Sequence, residues 1–130
     1  MGAIYLDSSA LVKLAVREMH SDALRKHLRR RRPLMSSALA RTEVLRSLLP
    51  GGEQALAAGR AVLSRVNLVR VNDPILGQAG TMSPVELRSM DAIHLATAGR
   101  IGTDLAEIVT YDRRMAAAAR SMGYKVSSPT

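Results

Sequence analysis

Ala3-Ile4-Tyr5-Leu6-Asp7-Ser8-Ser9-Ala10-Leu11-Val12-Lys13-Leu14 joins two patterns in one stretch. The apolar run 3–6 predicts a short buried strand. Its abrupt end in Asp-Ser-Ser predicts a helix start, with Ser8 or Ser9 as N-cap and the helix running over 10–15. The same junction recurs late in the chain. Glu107-Ile108-Val109-Thr110-Tyr111 reads as a strand, Asp112 opens a helix over 113–121, and Gly123 ends it before a last strand at 124–126.

Between these junctions the pattern keeps alternating. Helices are predicted over about 21–31, 38–49 and 53–66, with strands at 34–36 and 68–71, the latter closed by Asn72-Asp73-Pro74. Ser83-Pro84-Val85-Glu86 carries the cap, proline and glutamate of a capping box, ahead of a strongly helical Asp91–Ala98. Strand and helix in alternation predict an α/β fold: a three-layer α/β/α sandwich with a mainly parallel central sheet. The chain of 130 residues fits one domain, 1–130, large enough to bury roughly two-thirds of its unfolded surface.

Composition narrows the chemistry. There is no cysteine, so disulfides and thiolate metal sites are excluded, and any metal must be held by oxygen or imidazole. No apolar run approaches the ~20 residues of a membrane span, and the N-terminus lacks a signal peptide's basic region and long apolar core, so a cytoplasmic protein without a membrane partner is expected. A formal net charge of +8 favours a polyanionic partner. With no Phe, no Trp and three Tyr, base stacking is poorly supplied, and contacts to a nucleic acid should run mostly through phosphates.

The eleven acidic residues carry the functional argument. In an open parallel sheet, ligands bind beyond the carboxyl ends of the strands. Asp7 and Asp112 both stand there, although N-capping explains either one alone. Asp91 shares a helix face with Leu95 and Ala98, an apolar face on which an unpaired carboxylate is costly. It therefore either caps its helix or is neutralised by a cation. His94, three residues on, reads as a hydrogen-bonded structural histidine. Glu43 falls outside the apolar stripe Ala38, Thr42, Leu45 and Leu49, and with Arg46 it reads as half of a surface ion pair.

The stretch from Tyr5 to Leu14 is similar to the opening of PIN-domain ribonucleases, especially the VapC toxins of bacterial toxin–antitoxin pairs. Met90-Asp91-Ala92-Ile93-His94-Leu95-Ala96-Thr97-Ala98 resembles that family's third acidic motif, and Thr110-Tyr111-Asp112-Arg113-Arg114-Met115 its fourth. Thr42-Glu43-Val44 falls where the family carries a helical glutamate. The resemblance implies a catalytic quartet of Asp7, Glu43, Asp91 and Asp112, supported by Thr110 and Ser9, hydrolysing RNA with Mg²⁺ (or Mn²⁺). Asp7, Asp91 and Asp112 would hold the metal, and Glu43 would orient or deprotonate the attacking water. It also implies a VapB-like antitoxin and a homodimer.

Physical chemistry agrees with a cation in such a quartet. Two carboxylates 4 Å apart repel by about 4 kcal/mol at an effective dielectric near 20, and all-oxygen ligation suits hard divalent ions. Arg113 and Arg114, next to Asp112, are the candidates for substrate phosphates. The denser group Arg25, Lys26 and Arg29–Arg32 suits either RNA contact or a solvated helix end. A receiver-type phosphoacceptor would want paired acids after the first strand, and a haloacid-dehalogenase phosphatase Asp-x-Asp, where this chain has serines. The alternative from another class is a non-catalytic basic RNA-binding module on the same fold.

Overall fold

The computed structural model describes residues 2–130. Five strands, β1 (Ala3–Leu6), β2 (Leu34–Ser37), β3 (Asn67–Val69), β4 (Leu105–Val109) and β5 (Val126–Ser127), form one sheet in the order β3-β2-β1-β4-β5. Every pairing is parallel. From β1 the chain builds outward to β2 and β3, then returns to place β4 on the other flank of β1. The reversal makes the carboxyl ends of β1 and β4 a topological switch point, the usual position of a ligand crevice in such sheets.

Side-chain alternation along the strands divides the core. Ile4, Leu6 and Val109 face one way, into a cluster with Leu11, Leu24, Val44, Leu56 and Val62. This layer comprises α1 (Ser8–Ala15), α2 (Ser21–His27), α3 (Ala40–Leu48) and α4 (Gly52–Leu63). Tyr5 and Ile108 face the other way, packing with Leu95, Ala98, Met115 and Ala119 of α6 (Ser89–Ile101) and α7 (Arg113–Ser121). The expected three layers are present, and the sheet is wholly parallel.

Three local expectations are corrected. Asn72-Asp73-Pro74 does not close a strand into a loop but starts α5 (Asp73–Gly80), with the Asn72 side chain accepting from Ile75 N at 3.0 Å. Proline in the first turn of a helix costs nothing, because its missing N–H has no partner there anyway. Ser83–Glu86 is not a capping box: the segment turns on itself, with Leu87 N donating to Pro84 O at 3.0 Å, and α6 starts at Ser89. The first helix is capped by Asp7 itself rather than by Ser8 or Ser9, its carboxylate accepting from Ala10 N.

α2 stops at His27, four residues short of the predicted end, and Arg30 takes a left-handed turn (φ 62°). No helix among the described residues is long and apolar enough to cross a membrane.

Candidate active site

Asp7 follows β1 directly and is buried, 4% exposed. Its Oδ1 accepts from Ser9 Oγ at 2.6 Å and Ala10 N at 3.1 Å, and its Oδ2 accepts from Thr110 Oγ1 at 2.5 Å. Because Leu6 pairs with Val109 in the parallel register, Thr110 arrives at the same level beside it. Burial pushes the Asp7 carboxyl above its ordinary value, against the pull of the Ser9 and Thr110 hydroxyls.

Asp112 caps α7, its Oδ1 accepting from Met115 N at 2.9 Å, while its own N–H donates to Thr110 Oγ1 at 3.1 Å. Thr110 thus ties the two strand-end aspartates together through one hydroxyl. Ser9 makes a second tie, accepting from Tyr111 N at 3.0 Å.

Asp91 enters from the first turn of α6 and does not cap it; the residue at the cap position, Arg88, makes no side-chain cap bond either. Its Oδ2 is buried without a hydrogen-bond partner. Burial raises its pKa first, and the negative charges of Asp112 and Asp7 raise it further. Asp91 therefore lies within electrostatic reach of both strand-end aspartates. Arg88 lowers the same group, which brings a basic residue to the site that sequence reasoning passed over.

Glu43 reaches the site from α3 and does not pair with Arg46 as expected. Its Oε1 accepts from Ser8 Oγ and from His94 Nε2 at 2.7 Å. His94 is 2% exposed and is held on its other nitrogen by the Tyr5 hydroxyl at 2.7 Å. Burial would raise Glu43, but the hydrogen bond and charge of His94, with the Ser8 hydroxyl, outweigh it and hold the carboxyl below its ordinary value. His94 is a hydrogen-bonded structural histidine, and it also spans from the α6 layer to the α3 glutamate. Ser8 and Tyr5 complete that chain, and only tertiary structure reveals them.

Arg113 and Arg114 are exposed at the start of α7. Arg114 also lines a groove of about 780 Å³ with Pro84, Leu87 and Met122. The basic run 29–32 precedes β2 and so lies at the amino edge of the strands, away from the acids. Part of it is committed elsewhere: Arg31 pairs with the buried Glu107 at 2.7 Å, together with His27 at 2.6 Å.

The donor set fits a hard divalent cation. An unpartnered buried carboxylate oxygen, under the influence of two like charges, is unfavourable as it stands and is relieved by positive charge. The acids do not form a closed cage: among the described residues no three acid or histidine groups stand close enough together to hold an ion as they are. Mg²⁺ needs no closed cage, since it retains several waters and takes one or two carboxylates.

Comparison with known proteins agrees with this fold. Residues 4–121 match the family model described as PIN domain. The sequence is 58% identical over 130 residues, the whole of both chains, to Ribonuclease VapC46 of Mycobacterium tuberculosis. Among solved structures, VapC20 of Mycobacterium tuberculosis, a Sarcin-Ricin loop cleaving toxin, superposes with a TM-score of 0.72 at 22% identity, over 88% of this chain and 94% of that one. A toxin–antitoxin complex from Klebsiella pneumoniae gives 0.70 at 20% identity, over 98% of both chains.

Proposed function

The chain belongs to the PIN-domain family, among the VapC ribonucleases, and from that premise we propose that Asp7, Glu43, Asp91 and Asp112 carry out its hydrolysis of RNA phosphodiesters. The observation that carries this reading is the buried, unpartnered Oδ2 of Asp91, within electrostatic reach of Asp7 and Asp112. Asp7, Asp91 and Asp112 would hold Mg²⁺ or Mn²⁺. When bound, such an ion activates water and offsets charge on the departing oxygen.

The protein's own groups divide the remaining work. Three donors fix Asp7, so its carboxylate cannot turn away as substrate arrives. Thr110 sets the spacing of Asp7 and Asp112 through one oxygen. Glu43 is ionised across the neutral range; a weakened base of this kind suits orienting the attacking water better than removing its proton outright. Arg113 and Arg114 meet the substrate phosphates at the rim, with Arg88 on the Asp91 side.

Further support bears on partners. Leu76, Val85, Met90 and Met122 are exposed large apolar residues on the α5–α6–α7 side, Val85 at 91%, and such a patch suits a homodimer contact. The likeness to toxin–antitoxin complexes supports a role as the toxin of such a pair, held by a VapB-like antitoxin and acting on cytoplasmic RNA.

The chemistry of the new RNA ends tests the reaction. Attack by an oriented water predicts 5′-phosphate and 3′-hydroxyl ends, formed with Mg²⁺ or Mn²⁺ and blocked by chelator. A 2′,3′-cyclic phosphate would mean attack by the ribose hydroxyl and would contradict the assignment; RNA bound but never cut would favour the non-catalytic module.

A further inference from the structure

Tyr111 lies between Thr110 and Asp112 in the chain and is partly exposed. Its hydroxyl donates to Pro129 O at 2.8 Å, and its N–H donates to the Ser9 hydroxyl that binds Asp7. The ring is therefore held at its hydroxyl, and its backbone by the same Ser9 hydroxyl that holds Asp7.

Two groups, one on α1 and one at the end of the α1–α2 connection, meet this ring. The His20 imidazole lies parallel to it, 3° between planes and 6.1 Å between centres. The Lys13 ammonium stands 4.7 Å from the Tyr111 ring centre. His20 holds this position in the left-handed region, φ 71°, a conformation sparsely populated by residues other than glycine. The connection is braced to keep it there: Lys13 Nζ donates to Met19 O at 2.8 Å and pairs with Glu18 at 3.4 Å, while Ser21 Oγ accepts from Glu18 N and donates to Val16 O.

A partly exposed, parallel ring pair with a cation against it matches the chemistry of a nucleotide, whose base offers a π face and whose phosphate offers charge. We propose that Tyr111 and His20, with Lys13, form a nucleotide-binding shelf that takes one RNA base by stacking and sets it beside the scissile phosphate at Asp7 and Asp112. Tyr111 and His20 supply the stacking surface, and Lys13 the charge. The inference rests on the nuclease reading and deepens it. It also adds to the expectation that contact runs mostly through phosphates: a histidine supplies the second ring that a chain poor in aromatics lacks.

The test uses the full chain carrying Asp91→Asn, so that RNA is bound but not cut, with short single-stranded oligoribonucleotides bearing 2-aminopurine at each position in turn. Stacking predicts quenched fluorescence at one position. His20→Ala should abolish that quench and weaken affinity about tenfold, and His20→Phe should restore both. Lys13→Met, which keeps the packed stem and removes the charge, should weaken affinity and flatten its salt dependence by about one unit of slope.

Unchanged quench and affinity in His20→Ala, in protein that still unfolds cooperatively, would overturn the shelf, as would failure of phenylalanine to restore what alanine loses. If the chain without Asp91→Asn leaves RNA uncut while the quench behaves as expected, the nuclease reading falls and the shelf stands.

Discussion

Asp91 holds a carboxylate oxygen out of water with no partner, within the electrostatic reach of two other carboxylates. Such an arrangement opposes folding until a cation arrives. Because its folded-state pKa is raised, the folded protein binds more protons than the unfolded chain just above the ordinary carboxylate value, and stability falls as pH rises through that window. Asp91→Asn should therefore raise the melting temperature of metal-free protein at neutral pH, with the gain disappearing below the ordinary carboxylate range, while cleavage is lost. A scan of melting temperature against pH checks both.

Thr110→Val tests the shared hydroxyl: it keeps the shape but strips one bond each from Asp7 and Asp112. A loss of roughly 1–2 kcal/mol in stability and at least tenfold in cleavage rate is expected, read by denaturant melts and initial rates.

Much of the candidate site is visible in the sequence at this scale. Asp7 and Asp112 declare themselves by standing at strand ends, and Asp91 by being an acid on an apolar helix face. Glu43 is not legible from periodicity, because what recruits it is His94, 51 residues away.

At the scale of elements, the strand–Asp–helix junctions are legible because strand, cap and helix signals lie side by side. What misleads is punctuation. Asn72-Asp73-Pro74 has the composition of a stop, yet in the structure Asn72 is an N-cap and Pro74 sits in the first turn. Asn72→Ala should thus cost about 1 kcal/mol, measured as a shifted denaturant midpoint. Ser83–Glu86 has the composition of a start and remains a turn, a choice that local residues do not encode.

The buried Glu107 of β4 ties α2 to the sheet edge through His27, Arg31 and Ser127. Burial would raise its pKa, but these partners outweigh that and lower it. Its contribution is therefore present above the ordinary glutamate value and lost as pH falls through the lowered one. Glu107→Gln should destabilise by about 2 kcal/mol at neutral pH, and the difference from the unsubstituted protein should narrow in acid.

For the whole molecule, the chain order places β1 and β4 side by side after the sheet has grown the other way, and this brings Asp7 and Asp112 to neighbouring strand ends. That convergence can be inferred from the motifs but not measured in them. The apolar residues around Val85 belong to this scale too: if they form a homodimer contact, Val85→Asp should yield a monomer by sedimentation with its melting temperature otherwise maintained. Saturating Mn²⁺ should raise the melting temperature by roughly 10 °C at a hundredfold excess over Kd, and should do little for Asp91→Asn.

The initial rate of RNA cleavage against Mn²⁺ concentration, for the unsubstituted chain and for Asp91→Asn, bears on the metal-dependent quartet with the fewest intervening steps. A saturable dependence on the ion is expected, abolished by chelator, with a loss of at least a thousandfold in Asp91→Asn although that variant folds more stably. Cleavage that survives chelation, or that Asp91→Asn leaves intact, would mean that the quartet does not perform the hydrolysis.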